Sequence, residues 1–253
     1  MDSQCVLYMG DTILAGPASY LAGLMTAWGM SFDYVPSDRR LGRSQAEVPR
    51  RLFIFSDYPA AMLDEALAEI IVRQVHGGAG LLMIGGWESY CGKGGNWAGT
   101  KIAEALPVEI GRSDDRVNCD QPAMVVKLAD HPITRGLPWD ERPPTVGGYN
   151  RITPRAGTQA PLEVQRFVAR RTAGRIEFTL AGRDPLLIVG EYGKGRTAAL
   201  ATDVAPHWVG GMVDWGAGRV EGEAAPGAGI EVGSDYATFF RQLLTWTGWL
   251  ETR

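Results

Sequence analysis

The chain has 253 residues and a formal net charge of −4, with 45% hydrophobic and 21% charged residues. That is the composition of an ordinary globular protein with room for a sizeable core. The acidic balance argues against a nucleic-acid partner, and no run approaches the ~18 apolar residues of a membrane span. The N-terminal Met1-Asp2-Ser3-Gln4 lacks the basic start of a secretory signal. The three cysteines (Cys5, Cys91, Cys119) are widely spaced, as are His76, His131 and His207. Reduced thiols in a cytoplasm are expected, with no disulfide framework, no metal site and no other cofactor.

Along the chain, residues 5–9 read as a first strand that ends at Gly10-Asp11. Residues 17–28 read as a helix, opened by Pro17 and stopped by Gly29. Strands follow at 32–35 and 52–55. The next helix starts at Pro59, with an apolar stripe of Met62, Leu63, Leu67, Ile70, Ile71 and Val75, and ends at Gly77-Gly78. Residues 81–84 are uninterruptedly apolar, as in a strand buried on both faces. This alternation predicts a largely parallel sheet with helices on both faces. In the second half a short helix is expected within 96–106, and strands at 124–128, 162–168 and 176–180. Residues 186–192 and 196–202 form a β-hairpin around Gly193-Lys194-Gly195. Residues 208–233 show little periodicity and read as a long loop. Ser234 caps a final helix with Tyr236, Phe239, Phe240, Leu243, Leu244, Trp246 and Thr247 on its inner face. One domain spanning 1–253 is expected.

The glycine-rich stretch 85–95 follows the buried strand, where ligands of open α/β sheets bind. It is not a phosphate loop: five residues separate Gly86 from Gly92-Lys93, and Gly94 stands where that loop needs a hydroxyl. Cys91 and His207 are each expected at the same sheet edge, and with Asp203 they form a candidate nucleophile, base and orienting carboxylate. The plainer alternative makes Cys91 a small loop hydrophobe, packs His207 against Trp208 and uses Asp203 to cap a turn. Glu88 sits among glycines whose N–H groups could cradle an anion. Asp57, Gly85, Gly86, Trp87, Glu88, Ser89 and Trp208 are the candidate ligand-binding residues, with aromatics as pocket walls.

Taken together, Gly80–Gly86 with Ser89 and Gly92, Leu106-Pro107-Val108, Asp130-His131-Pro132-Ile133-Thr134-Arg135-Gly136-Leu137, Gly193-Lys194-Gly195-Arg196, Thr202-Asp203-Val204-Ala205-Pro206-His207-Trp208 and the Trp-rich last helix resemble the putative glutamine amidotransferase family. This is a class I amidotransferase-like group of bacterial proteins, similar in fold to trehalose-utilisation proteins. The resemblance implies a flavodoxin-like three-layer α/β sandwich with a largely parallel sheet, to which the hairpin would be a C-terminal extension. An active member carries a Gly-x-Cys-x-Gly elbow after its buried strand and a His-Pro-Glu segment. Here Trp87 stands at the cysteine position, Cys91 comes four residues later, and Trp208-Val209 follows His207. The expectation is therefore a protein that binds a small polar metabolite, a sugar for example. A Cys91–His207 hydrolase ranks second. A homo-oligomer joined through exposed tryptophans and the 208–233 segment is the third reading.

Overall fold

Five parallel strands bring the glycine loop and three other strand ends to one edge of a nine-stranded sheet. The computed structural model describes residues 6–250. Cys5, expected at the start of the first strand, lies outside them. The elements run β1 (Val6–Gly10), α1 (Ser19–Ala27), β2 (Phe32–Val35), α2 (Arg43–Ala46), β3 (Leu52–Ser56), α3 (Glu65–His76), β4 (Gly80–Ile84) and α4 (Lys101–Ala105). They continue as β5 (Val108–Glu109), β6 (Arg116–Lys127), β7 (Thr145–Asn150), β8 (Thr153–Pro154), β9 (Gln159–Thr172), β10 (Arg175–Tyr192) and β11 (Gly195–Leu200). The chain closes with α5 (Pro206–Val209), β12 (Arg219–Glu223), β13 (Gly229–Gly233) and α6 (Ser234–Gly248).

The large sheet has the order β2-β1-β3-β4-β11-β10-β9-β6-β7. The pairs β1–β2, β1–β3, β3–β4 and β4–β11 are parallel. The remaining neighbours are antiparallel. Numbered along the chain, the five parallel strands follow the doubly wound order 2-1-3-4-5, whose switch point falls between β1 and β3. Every residue of β1, β3 and β4 is buried, which is why these strands read as continuous apolar runs.

Four sequence expectations need correction. The hairpin at Gly193-Lys194 forms, with Gly193 at φ +61° as such a two-residue turn requires. It is not an appendage, because β11 is the fifth parallel strand and pairs with β4. Residues 176–180 and 186–192 belong to one 18-residue strand, β10, whose outer half is exposed and so lacks a core-facing pattern. The helix expected from Pro59 is broken: Ala60–Met62 is a single 3-10 turn, and α3 starts after Asp64, burying Leu67, Ala68, Ile71 and Val75. The 208–233 segment holds α5, a 3-10 turn and the β12–β13 hairpin rather than a loop.

Helix α6 packs across β3, β4 and β11 and buries Tyr236, Phe239, Phe240, Leu243 and Leu244, each contributing about 1.5–3 kcal/mol by area. Ser234 begins this helix without capping it; its Oγ accepts the Gly218 N–H at 3.3 Å instead. The α1 helix packs on the β12–β13 hairpin, which also meets α6, while α3 packs on α2 and α4. No helix among the described residues is long and apolar enough to cross a membrane.

Candidate functional site at the carboxyl edge of the parallel strands

Four strand ends meet here. Asp11 follows β1, Asp57 follows β3, the glycine loop follows β4, and Asp203 lies just past β11. Asp11 and Asp57 both leave their strands with positive φ, +34° and +52°, a region that short polar side chains tolerate better than most. The Asp57 carboxylate accepts the Glu88 N–H at 2.7 Å and is also bonded by the Trp87 N–H. A Cβ added to Gly86 (φ +154°) would lie 2.2 Å from that carboxylate, so only glycine lets Asp57 in.

Ser89 serves the loop rather than the solvent. Its Oγ donates to the Ile84 carbonyl at 2.6 Å and accepts the Asp57 N–H at 3.0 Å. A second carboxylate closes the far side of the loop. Buried Asp115 accepts from the Cys91 N–H at 2.9 Å, the Gly92 N–H at 3.0 Å and Asn150 Nδ2 at 2.8 Å. Asn150, at the end of β7, also brackets the Gly86 peptide, accepting its N–H at 2.9 Å and donating to its carbonyl at 3.1 Å. Five N–H groups of this loop are therefore engaged by side chains: Gly86 by Asn150, Trp87 and Glu88 by Asp57, and Cys91 and Gly92 by Asp115.

Cys91, His207 and Asp203 are not joined by any hydrogen bond among the described residues. Cys91 is 7% exposed, and burial together with Asp115 and Asp114 pushes its thiol upward, away from a thiolate. His207 is exposed and lies against Trp87, not Trp208, with ring centroids 6.0 Å apart. Asp203 Oδ1 accepts the Val204 N–H at 2.5 Å, as a turn cap does. No helix starts at the glycine loop; the next one is α4 at Lys101. Trp87 is not at positive φ, so the strained strand-to-helix elbow of a nucleophile is missing. Trp208 is a core residue. Its Nε1 donates to Asn118 Oδ1 at 2.8 Å and its ring fills the space left by Gly148, where a Cβ would come within 2.6 Å.

What the edge does gather is carboxyl groups. Burial, then the charges of Asp57 and Glu88, raise Asp11 to about 7. Burial raises Asp57 to about 6 against the lowering pull of its backbone hydrogen bonds. Burial and the fields of Asp57 and Asp11 push Asp203 well above the carboxylate range, and burial raises Glu88 against a lowering hydrogen bond from Ser37. The Tyr8 hydroxyl, fully buried and sensing Asp11, Asp57 and Asp203, has no partner; neither do Ser56 Oγ and Asp11 Oδ2. Buried polar groups left unpaired are uncommon and ask for a reason. Beside them Trp87, 40% exposed, carries Arg116 at 4.6 Å and Lys93 at 5.9 Å from its ring centroid, in addition to His207.

Sequence reasoning placed Asp57, Glu88 and Asp203 at this edge and missed Tyr8, Asp11, Ser56, Asp115 and Asn150. Asp11 was available by the argument that found Asp57, since it directly follows a strand. Asp115 and Asn150 reach the loop from the antiparallel half and give no local signal.

The profile of the putative glutamine amidotransferase family matches residues 58–219, which include the glycine loop, Asp115, Asn150 and Asp203. The chain belongs to this family. A search of curated proteins finds no match. Among solved structures it is similar to cytoplasmic protein STM1381 of Salmonella typhimurium LT2, with 23% identity and a TM-score of 0.69 over 96% of this chain and 98% of that one. Cytoplasmic protein STM3548 of Salmonella typhimurium is similar at 21% identity and a TM-score of 0.68 over the same shares. A putative ThuA-like protein of Parabacteroides merdae ATCC 43184 is similar at 11% identity and a TM-score of 0.53, over 96% of this chain and 88% of that one. At these identities the likeness is one of fold. This member of the amidotransferase family thus shares the overall fold of these structures.

Proposed function

We propose that this protein is a cytoplasmic, flavodoxin-like three-layer sandwich that binds a small polar metabolite at the β1/β3 switch point, and that it does not hydrolyse glutamine. The observation that carries the reading is the set of unpaired buried polar atoms on Tyr8, Asp11 and Ser56 beside raised carboxyls. A hydroxyl-rich ligand suits them, because half-protonated carboxyls both donate and accept hydrogen bonds. Asp11, Asp57, Glu88 and Asp203 would take its hydroxyls, and Trp87 would wall one side. The occupied loop amides and the raised Cys91 thiol support binding over acyl transfer, which needs free oxyanion donors and a thiolate.

A thermal-shift panel of sugars, amines and amino acids tests this, run beside an ammonia-release assay with glutamine. The expected result is a shift with a polyhydroxylated compound, lost in Asp57→Asn and kept in Cys91→Ala, and no ammonia. Ammonia release abolished by Cys91→Ala would overturn the reading and restore the Cys91–His207 hydrolase. An amine ligand would instead bind more tightly as pH rises through 6–7, because it needs the ionised carboxylates of Asp57 and Asp11.

One observation favours self-association as well. The outer half of the β9–β10 ribbon exposes Ile176, Phe178 and Leu180, at 65%, 69% and 42%, on a stretch of β10 whose other edge has no strand neighbour among the described residues. In an antiparallel pairing with a second copy centred on Ile176, Arg175 of each copy faces Glu177 of the other. Light scattering is expected to find a dimer that Phe178→Ser converts to monomer; a wild-type monomer at high concentration would exclude the contact. Trp97, Trp208 and Trp215 are buried, whereas Trp87 and Trp249 are exposed at 40% and 44%.

A further inference from the structure

The opposite, amino edge of the parallel strands holds a cavity of about 850 Å³, between the outer face of α6 and the residues that precede β3 and open β11. Three arginines line it: Arg51, Arg196 and Arg241. Their partners are not carboxylates. Arg51 donates to the Trp249 carbonyl at 2.6 Å and Arg196 to the Trp246 carbonyl at 3.0 Å. The Arg196 guanidinium lies 3.2 Å from the centroid of the Trp249 ring and 4.9 Å from that of Trp246, which fixes its plane. Glu191, opposite Arg196 across the hairpin, acts on it only at a distance. No ion pair joins any of the three arginines to an acidic side chain among the described residues.

Three of the lining residues carry a buried, unpaired polar atom: Arg241 Nε, Thr245 Oγ1 and Gln242 Oε1. They sit at i, i+1 and i+4 on α6, on one side of the helix. Gln242 is itself held in place, its Nε2 donating to the Arg135 carbonyl at 3.0 Å. Two orphaned donors and one orphaned acceptor, among uncompensated guanidinium groups, specify a ligand that is anionic and carries a hydroxyl. Planar guanidinium forks match phosphate and carboxylate oxygens in pairs.

We infer that this cavity is a binding site for a small hydroxylated oxyanion, of the phosphate-monoester class, separate from the carboxyl-lined edge. Arg241 and Arg196 grip the oxyanion, Thr245 adds a hydrogen bond, and Gln242 Oε1 receives the ligand's hydroxyl. The site concentrates positive charge on a chain that is acidic as a whole.

Calorimetric titration of the full chain with inorganic phosphate, glycerol 3-phosphate and uncharged glycerol tests this. Saturable binding of a phosphate compound is expected, with glycerol silent. Arg241→Gln should weaken it at least about tenfold while Asp57→Asn leaves it unchanged. Tighter binding of glycerol 3-phosphate would mark an organic ester as the ligand, and equal binding a free oxyanion; both support the site. Because Arg196 is stacked and its loss could loosen α6, Arg241→Gln, at a half-buried position, is the decisive variant, with unchanged near-UV circular dichroism as the folding check. No saturable binding of either phosphate, or binding that survives Arg241→Gln undiminished, would overturn the inference.

Discussion

Asp57→Asn is expected to stabilise the protein at neutral pH while abolishing binding at the carboxyl edge. Asparagine keeps the acceptor for the Glu88 N–H and tolerates the positive φ of +52° at this position. It removes the charge and exchanges one acceptor oxygen for an NH2 group. Asp57 and Asp11, at about 6 and 7 when folded, both stand above their ordinary value of 3.8. Between about pH 4 and pH 7 the folded protein therefore binds more protons than the unfolded chain. Stability must fall as pH rises through that window, and the full penalty is present above it. Two to three pKa units correspond to a few kcal/mol, shared between coupled groups. Asp57→Asn should thus gain about 2 kcal/mol at pH 8, a rise of about 5 °C in Tm, and little at pH 4. Urea denaturation across this range checks it. A variant less stable at pH 8 than at pH 4 relative to wild type would contradict the sign. Gained stability with lost binding is the pattern expected where a site holds unfavourable charges for the sake of a ligand.

Asp115→Ala is the substitution expected to do most harm. It orphans the Cys91 and Gly92 N–H groups and one donor of Asn150 at a buried position. Hydrogen bonds to an ionised acceptor contribute about 1.5–3 kcal/mol each, and water can reach part of the loop, so a net loss of about 3–5 kcal/mol follows. The loop should also loosen, which faster hydrogen exchange at residues 86–96 would report. A loss below about 1 kcal/mol would mean that the glycine loop holds its shape without this carboxylate.

These two carboxylates show where the sequence could be read and where it could not. The strand at 81–84 was legible because burial on both faces removes every polar residue from it. The end of that strand located the loop, and the same reasoning located Asp57 and Asp203. By contrast β7, which delivers Asn150, was invisible, since Gly147 and Gly148 carry no strand signal; Gly148 is there to admit the Trp208 ring. The outer half of β10 was cut from the inner half because its alternation has no core to face. The triad of Cys91, His207 and Asp203 followed from strand ends alone, but strand ends fix an edge and not the direction of a side chain. His207 turns to Trp87, and Asp203 lies buried near Asp57 and Asp11. The family pattern was informative in the negative: Trp87 at the elbow position agrees with a loop that forms no elbow.

Buried carboxyl groups, rather than a cysteine, carry the proposed function of this edge. Carbon-13 NMR titration of the aspartate carboxyls tests that claim most directly. It predicts carboxyl resonances with midpoints near 6 and 7, the first missing in Asp57→Asn and the second in Asp11→Asn. Aspartates that all titrate in the ordinary range, below about 5, would contradict it.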